Sequence, residues 1–330
     1  MVSKKNIPLF DNMKLFLMLF VIIAHTLNNS YGHYSMELIR FYCLCFTMPL
    51  FTFISGFLSK PEIALKKDIK HLLLPCLLFT IINDLISWAV IPDYTFTWKR
   101  PGFAMWYLWV LFIYRISLPW LIRIPMILPI SFVLSWLAGF MPWLDADFQL
   151  HRIICFLPWF LLGYYSKKSD FISNKLINVN IGGAKWIVIL VAIYLFWTIV
   201  IIVHPGLTYD TAFAVPYGNH PIIRFVLRVA LQFTAAITGF CFLKIMPNRV
   251  TWYTCYGRRT MTAYLLHAMI VLPMAYVIFP FPFAEATLWQ KMAMIFVPTI
   301  CCLPLFSYTV DSMLNRMLGN TKNRCLDKCR

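Results

Sequence analysis

Apolar runs of about twenty residues recur along this chain with short connections between them, and that rhythm limits the fold more than any single residue does. The runs fall near 13–31, 38–58, 71–91, 104–122, 124–140, 152–166, 184–203, 221–243, 260–279 and 290–310. A hydrocarbon core offers no water to a free N–H or C=O, so each run must satisfy its backbone internally as a helix. The reading is all-α: a polytopic transmembrane bundle of about ten helices. Residues 1–330 parse as one integral-membrane domain whose last stretch, Arg316 to Arg330, is a basic cytoplasmic tail.

Composition agrees with that parse. The chain is 61% hydrophobic and 13% charged, against about 45–50% and 25% in soluble domains. Its formal charge of +16 does not indicate nucleic acid, because the basic residues lie between apolar runs and form no soluble basic domain. Lys4, Lys5, Lys60, Lys66, Lys67, Lys70, Arg123, Lys167, Lys168, Lys175, Lys244, Arg249, Arg258 and Arg259 gather on one side of the predicted topology. The positive-inside rule then places both termini in the cytoplasm. Pro125, Pro129 and Pro158 interrupt the fifth and sixth runs, where helix continuity is weakest. Cysteines such as Cys43, Cys45, Cys76, Cys241, Cys301 and Cys302 sit in apolar runs and read as small hydrophobes, not as a metal framework.

Within the first run, His25 follows Lys14 by eleven positions. Eleven residues nearly complete whole helical turns, so both side chains face the same way, about 16 Å apart. Asp11 lies one turn before Lys14, which makes a polar line of Asp11, Lys14 and His25 along an apolar helix. On the span 13–31, Lys14 falls at the membrane surface and His25 near mid-bilayer. A titratable group at that depth marks a functional site by default, though a histidine bonded to a neighbouring helix is the alternative. Asn28, Asn29 and Ser30 continue the polar line.

Further polar groups each carry two readings. Ser55 and Gly56, in PLFTFISGFLSK, are either a small-residue packing notch or a place where a ligand meets backbone. Lys67 and Lys70, before Leu72 to Pro75, are either positive-inside residues or point charges for the phosphates of an anionic donor. Arg115 lies well inside the fourth span and needs a partner there; Arg224 and Arg228 open the eighth, and Asp84 is a carboxylate that one of these arginines can take. In YGRRTMTAYLLH, Thr260 is the expected cap of the ninth span's helix, and His267 has both a structural and a functional reading.

Taken in order, these segments resemble integral-membrane acyltransferase family 3, within it the fucose 4-O-acetylase-like and O-antigen O-acetyltransferase-like branch. The matching pieces are Asp11, Lys14 and His25; PLFTFISGFL; Lys67 and Lys70 before Leu-Leu-Leu-Pro; and Trp106-Tyr107-Leu108, FLPWFLLG and YGRRTMTAYLLH. Leu15 stands where the family usually has Gly, lysines replace the commoner arginines of the basic pair, and Thr260 replaces Ser.

The resemblance implies a multi-pass inner-membrane O-acyltransferase that uses acetyl-CoA, or another acyl-CoA, as co-substrate and binds no cofactor or metal. The acceptor it implies is a hydroxyl of a carbohydrate or lipid-linked surface glycan. It implies His25 as the catalytic residue, Lys14 as the basic residue of the same helix and Lys67 and Lys70 as the basic pair; on the residues' own reading, Asp11 is expected to assist through Lys14, and Arg115 and Ser55 to join the pair on the donor side. A neutral imidazole can take the acceptor's proton. The rival class is a transporter or flippase of a glycolipid or anionic solute, since buried basic residues also line translocation paths. No paired broken helices of an inverted repeat favour it.

Overall fold

The computed structural model describes residues 7–27, 34–97, 99–145, 147–168, 183–203, 216–279 and 285–319. Lys4, Lys5, Asn28, Asn29, Ser30, Lys175 and the tail beyond Gly319 lie outside the described residues. The structure is 82% helix, with no strand among the described residues, which settles the all-α class.

Among the described residues, twelve helices follow in order. They are α1 (Ile7–Thr26), α2 (Tyr34–Leu58), α3 (Leu65–Val90), α4 (Trp106–Leu121), α5 (Ile127–Leu137), α6 (Leu150–Lys168), α7 (Gly183–Val203), α8 (Pro221–Ile245), α9 (Thr254–Arg258), α10 (Thr260–Pro273), α11 (Leu288–Cys302) and α12 (Tyr308–Met317). Among the described residues, eight helical stretches are long and apolar enough to cross a membrane, and they coincide with eight of the ten predicted runs. The other two runs fall short, and in the sixth the expected proline interruption is not the cause, because Pro158 lies inside a continuous helix. The fifth begins only at Ile127, after Pro125 and a left-handed Met126, so Ile127–Phe140 is a shorter apolar helix. The sixth forms a full helix, α6, but carries Arg152, Lys167 and Lys168 at its ends.

Local chemistry explains several boundaries. Pro8 fits the first turn of α1, where its missing N–H is no loss. Thr26 closes that helix by donating its hydroxyl to the Ile23 carbonyl at 2.7 Å. In α3 the stretch Ile69–Leu73 widens into a π-turn just before Pro75, which has no N–H to donate to the carbonyl four residues back. Thr287 and Gln290 cap α11 reciprocally, side chain to backbone in both directions. Thr260 does not cap as expected. Its hydroxyl donates to the Gly257 carbonyl at 3.1 Å, and Arg259 stands at the cap position, its guanidinium donating to the Phe306 carbonyl at 3.3 Å and not to the helix start.

The chain divides into two compact units. The first comprises Cys45–Leu78 and Thr97–Ile245. Here α2 and α6 cross backbone to backbone: a Cβ on Gly56 would lie 1.9 Å from the Phe160 carbonyl oxygen, and one on Gly163 2.0 Å from that of Phe53. Gly56 is therefore the packing notch of the two readings, because only the absence of a side chain permits this approach.

A buried polar network joins α5, α6 and α8 in the same unit. Arg228, fully buried, donates to the Ser135 carbonyl at 3.2 Å, lies 3.4 Å from His151 Nε2 and covers the Tyr217 ring at 4.5 Å. Gln232 donates to Ser135 Oγ at 2.7 Å and accepts from the Trp136 indole at 2.9 Å. Tyr217 donates its hydroxyl to the Trp136 carbonyl at 2.6 Å, and burial pushes its phenol up to about 12 against the opposing Arg228 charge.

The second unit comprises Ser3–Leu44, Phe79–Phe96 and Met246–Arg330. Its centre is α1, which packs on α9, α10 and α11. Gly257 makes the tightest of these contacts, since a Cβ there would fall 1.8 Å from the Asp11 carbonyl oxygen.

Candidate functional site

Asp11, Lys14 and His25 share α1, and the structure gives each a defined surrounding. Asp11 is 5% exposed and divides its carboxylate between two cations: Oδ1 takes Lys14 Nζ at 2.8 Å and Oδ2 takes Arg258 Nε at 3.2 Å. The expected link from Asp11 to Lys14 is thus present, with Arg258 as the neighbouring basic residue. Beside it Asn12, fully buried, donates to the carbonyls of Pro247 at 2.8 Å and Arg249 at 3.0 Å. Its oxygen accepts from Thr254 at 2.6 Å and Thr251 at 3.2 Å. One amide therefore pins the start of α1 to the segment that carries Gly257 and Arg258, a role that sequence reasoning did not assign to Asn12.

His25 occupies the other end of the helix. The apolar stretch of α1 is Pro8–Thr26, so His25 lies in the last helical turn and not near its midpoint. The difference arises because the apolar helix already begins at Ile7–Phe10 and ends at Thr26, several residues earlier at each end than the expected span 13–31. About 21 Å of regular helix separates Asp11 from His25, too far for direct orientation.

What stands next to His25 is His267 of α10, with ring centroids 5.3 Å apart and planes inclined by 36°. His267 is fully buried, and its Nδ1 lies 2.7 Å from the Tyr264 carbonyl oxygen. A carbonyl accepts only from Nδ1–H, so in the neutral ring Nε2 carries the lone pair. His25 is only partly buried. One imidazole with a fixed tautomer thus backs a second that keeps some exposed surface.

In the first unit, the residues predicted for the donor side are placed as follows. Lys67 and Lys70 are exposed near the start of α3, on either side of the α-to-π transition. Arg115 lies on α4 and pairs with Asp68 of α3: Nη2 and Nε approach the same oxygen, Oδ1, at 3.2 and 3.3 Å. Asp84 is not the partner of Arg115. It accepts from the Tyr94 hydroxyl at 2.7 Å, while Asp68, which sits inside the lysine-rich turn and reads as part of it, supplies the buried carboxylate. Ser55 Oγ is 2.7 Å from Tyr107 Oη, so the Trp106-Tyr107-Leu108 element touches the Ser-Gly element directly. Among the described residues, no three His, Cys, Asp or Glu side chains form a group that could hold a metal ion.

Chemically, the second unit offers an imidazole with a neighbour of fixed tautomer and, at the far end of the same helix, a carboxylate bridging two cations. The first offers exposed lysines beside a paired arginine. Against known families, the acyltransferase family 3 model, described as an acyltransferase domain, matches residues 7–307 and so runs through segments of both units. No curated protein and no solved structure matches the chain.

Proposed function

The chain belongs to acyltransferase family 3, and from that premise we propose that it transfers an acetyl group from acetyl-CoA to a hydroxyl of a carbohydrate or lipid-linked surface glycan. The observation that carries the reading is His25, half-buried at the end of α1 with His267 against it. Acting as general base, His25 takes the proton of the acceptor hydroxyl as that oxygen attacks the thioester carbonyl. The C–S bond then breaks and the proton passes to the departing thiolate, leaving an oxygen ester and free CoA. His267, held through Nδ1, fixes the position of the ring beside it.

Asp11 and Lys14 act from a distance in this scheme, by keeping α1 docked on Arg258 and Gly257. Lys67 and Lys70 draw the anionic donor as exposed point charges. We assign Arg115 and Ser55 to the donor side as well: Asp68 engages Arg115 through Nε and Nη2, so Nη1 can turn to an anion. The basic residues between the spans support an inner-membrane setting with both termini in the cytoplasm.

The test uses the purified protein in proteoliposomes with acetyl-labelled CoA and a sugar acceptor. Label in base-labile ester linkage to the sugar is the expected result. Movement of solute across the vesicle with no ester formed would overturn the reading in favour of transport.

A further inference from the structure

An apolar slot in the first unit has no part in the chemistry above. It lies among α2, α6 and α8, has a volume of about 120 Å³, and is walled by Pro49, Leu50, Phe53, Trp159, Gly239 and Phe240. Pockets that enclose drug-sized ligands measure about 300–1,000 Å³, so this one suits neither a nucleotide donor nor a sugar. Its dimensions suit a length of hydrocarbon.

Small residues create the slot without being needed for close helix packing. Gly56 and Gly163 admit a neighbouring backbone within 2.0 Å of where a Cβ would stand, but a Cβ on Gly239 would meet only Leu50 Cδ1, at 3.6 Å. With Ala235 and Ala236 beside it, Gly239 therefore leaves space that none of the described residues fills.

One end of the slot is basic. The register that brings His151 of α6 against Arg228 of α8 also brings Ser166 and Leu243 into the same wall, so the two helices run parallel. The same step along both helices takes Lys167 to Lys244. Lys244 Nζ lies 5.8 Å from the ring centroid of Phe240, and Lys167 Nζ donates to the Ser59 carbonyl of the residue just past α2 at 2.9 Å. Lys60 follows Ser59, so the ends of all three helices bring a lysine to this rim.

Deeper in, the wall holds an unsatisfied donor. The Trp159 indole N–H is buried, in a side chain 4% exposed, and has no hydrogen-bond partner in the described structure. It lies about 12 Å along α6 from Lys167. That is the depth of mid-chain carbons, where the π electrons of a double bond can accept an N–H weakly.

We propose that this slot binds an anionic membrane lipid, with one unsaturated chain along Gly239 and Trp159 and its phosphate at Lys60, Lys167 and Lys244. The chain removes apolar surface from competing environments, and each lysine near the head group favours an anionic lipid over a zwitterionic one. The site is separate from the acyl-transfer reading and stands whether or not that reading holds.

Native mass spectrometry of the purified full-length protein, titrated with dioleoyl phosphatidylglycerol or dioleoyl phosphatidylcholine, tests it. The wild type is expected to retain phosphatidylglycerol with a preference of about ten-fold or more. Gly239→Leu, which fills the slot where an added side chain meets no backbone, is expected to lose the retained lipid. The Lys167→Gln, Lys244→Gln double variant is expected to keep binding while its preference falls towards unity. Equal retention of both lipids by the wild type, undiminished phosphatidylglycerol retention by Gly239→Leu, or an unchanged preference in the double variant would overturn the proposal.

Discussion

His25→Ala is expected to lower acetyl transfer by about 10²–10⁴-fold, the range a general base contributes, while membrane insertion and thermal stability stay close to wild type. The stability half follows from the position of His25, which lies in the last turn of α1 and is only half-buried. Measured as O-acetyl content of surface glycans at matched protein levels, the variant should fall to background. His267→Ala is expected to reduce transfer less, because it touches His25 and not the reacting atoms. It should cost more in stability, since the ring is fully buried and bonded to Tyr264. A His25→Ala protein that acetylates as well as wild type would remove His25 from the mechanism.

The second large effect concerns folding. Asn12→Ala is expected to destabilise the protein by about 2–4 kcal/mol, seen as a lower midpoint of thermal unfolding in detergent. Asn12 is fully buried and serves four partners, two carbonyls and two hydroxyls. The hydroxyls of Thr251 and Thr254 keep each other at 3.0 Å, but the carbonyls of Pro247 and Arg249 lose a donor each. Two buried acceptors at about 1–2 kcal/mol each give the estimate. Asp11→Asn should cost less, because Lys14 and Arg258 are 22% and 34% exposed and can turn to water. A midpoint in Asn12→Ala indistinguishable from wild type would mean that the amide does not hold α1 to the segment before α10.

Sequence patterns reached the spanning helices most easily, because a run of twenty apolar residues has few other solutions. They were least reliable where proline or terminal charge broke the run, at α5 and α6. The link from Asp11 to Lys14 was legible as a one-turn spacing within a single helix. Arg258 was not, because it meets Asp11 from a segment far along the chain, and nothing local in either sequence encodes that pairing.

The partner of Arg115 was left open in a similar way. Asp84 was one carboxylate that any of the buried arginines could take, but Arg115 pairs with Asp68, which lies among lysines in sequence and is buried against α4. His267 was visible as a motif residue, but its contact with His25 depends on how α10 packs on α1. Asn12 carried no signal in an apolar run beyond its own polarity. That polarity, unexplained by the stripe of Asp11 and Lys14, was the available clue.

The account rests on an imidazole that water and a thioester can reach at the end of α1. Its most direct test is modification of the purified protein by diethyl pyrocarbonate, read residue by residue by mass spectrometry alongside transfer activity. The exposed His71 and His220 serve as internal standards and the buried His267 as the protected control. The predicted result is that His25 reacts together with the two exposed histidines, that His267 resists, and that activity falls in step with His25. If His25 remains unmodified while His71 and His220 react, or if transfer survives its complete modification, the account is contradicted.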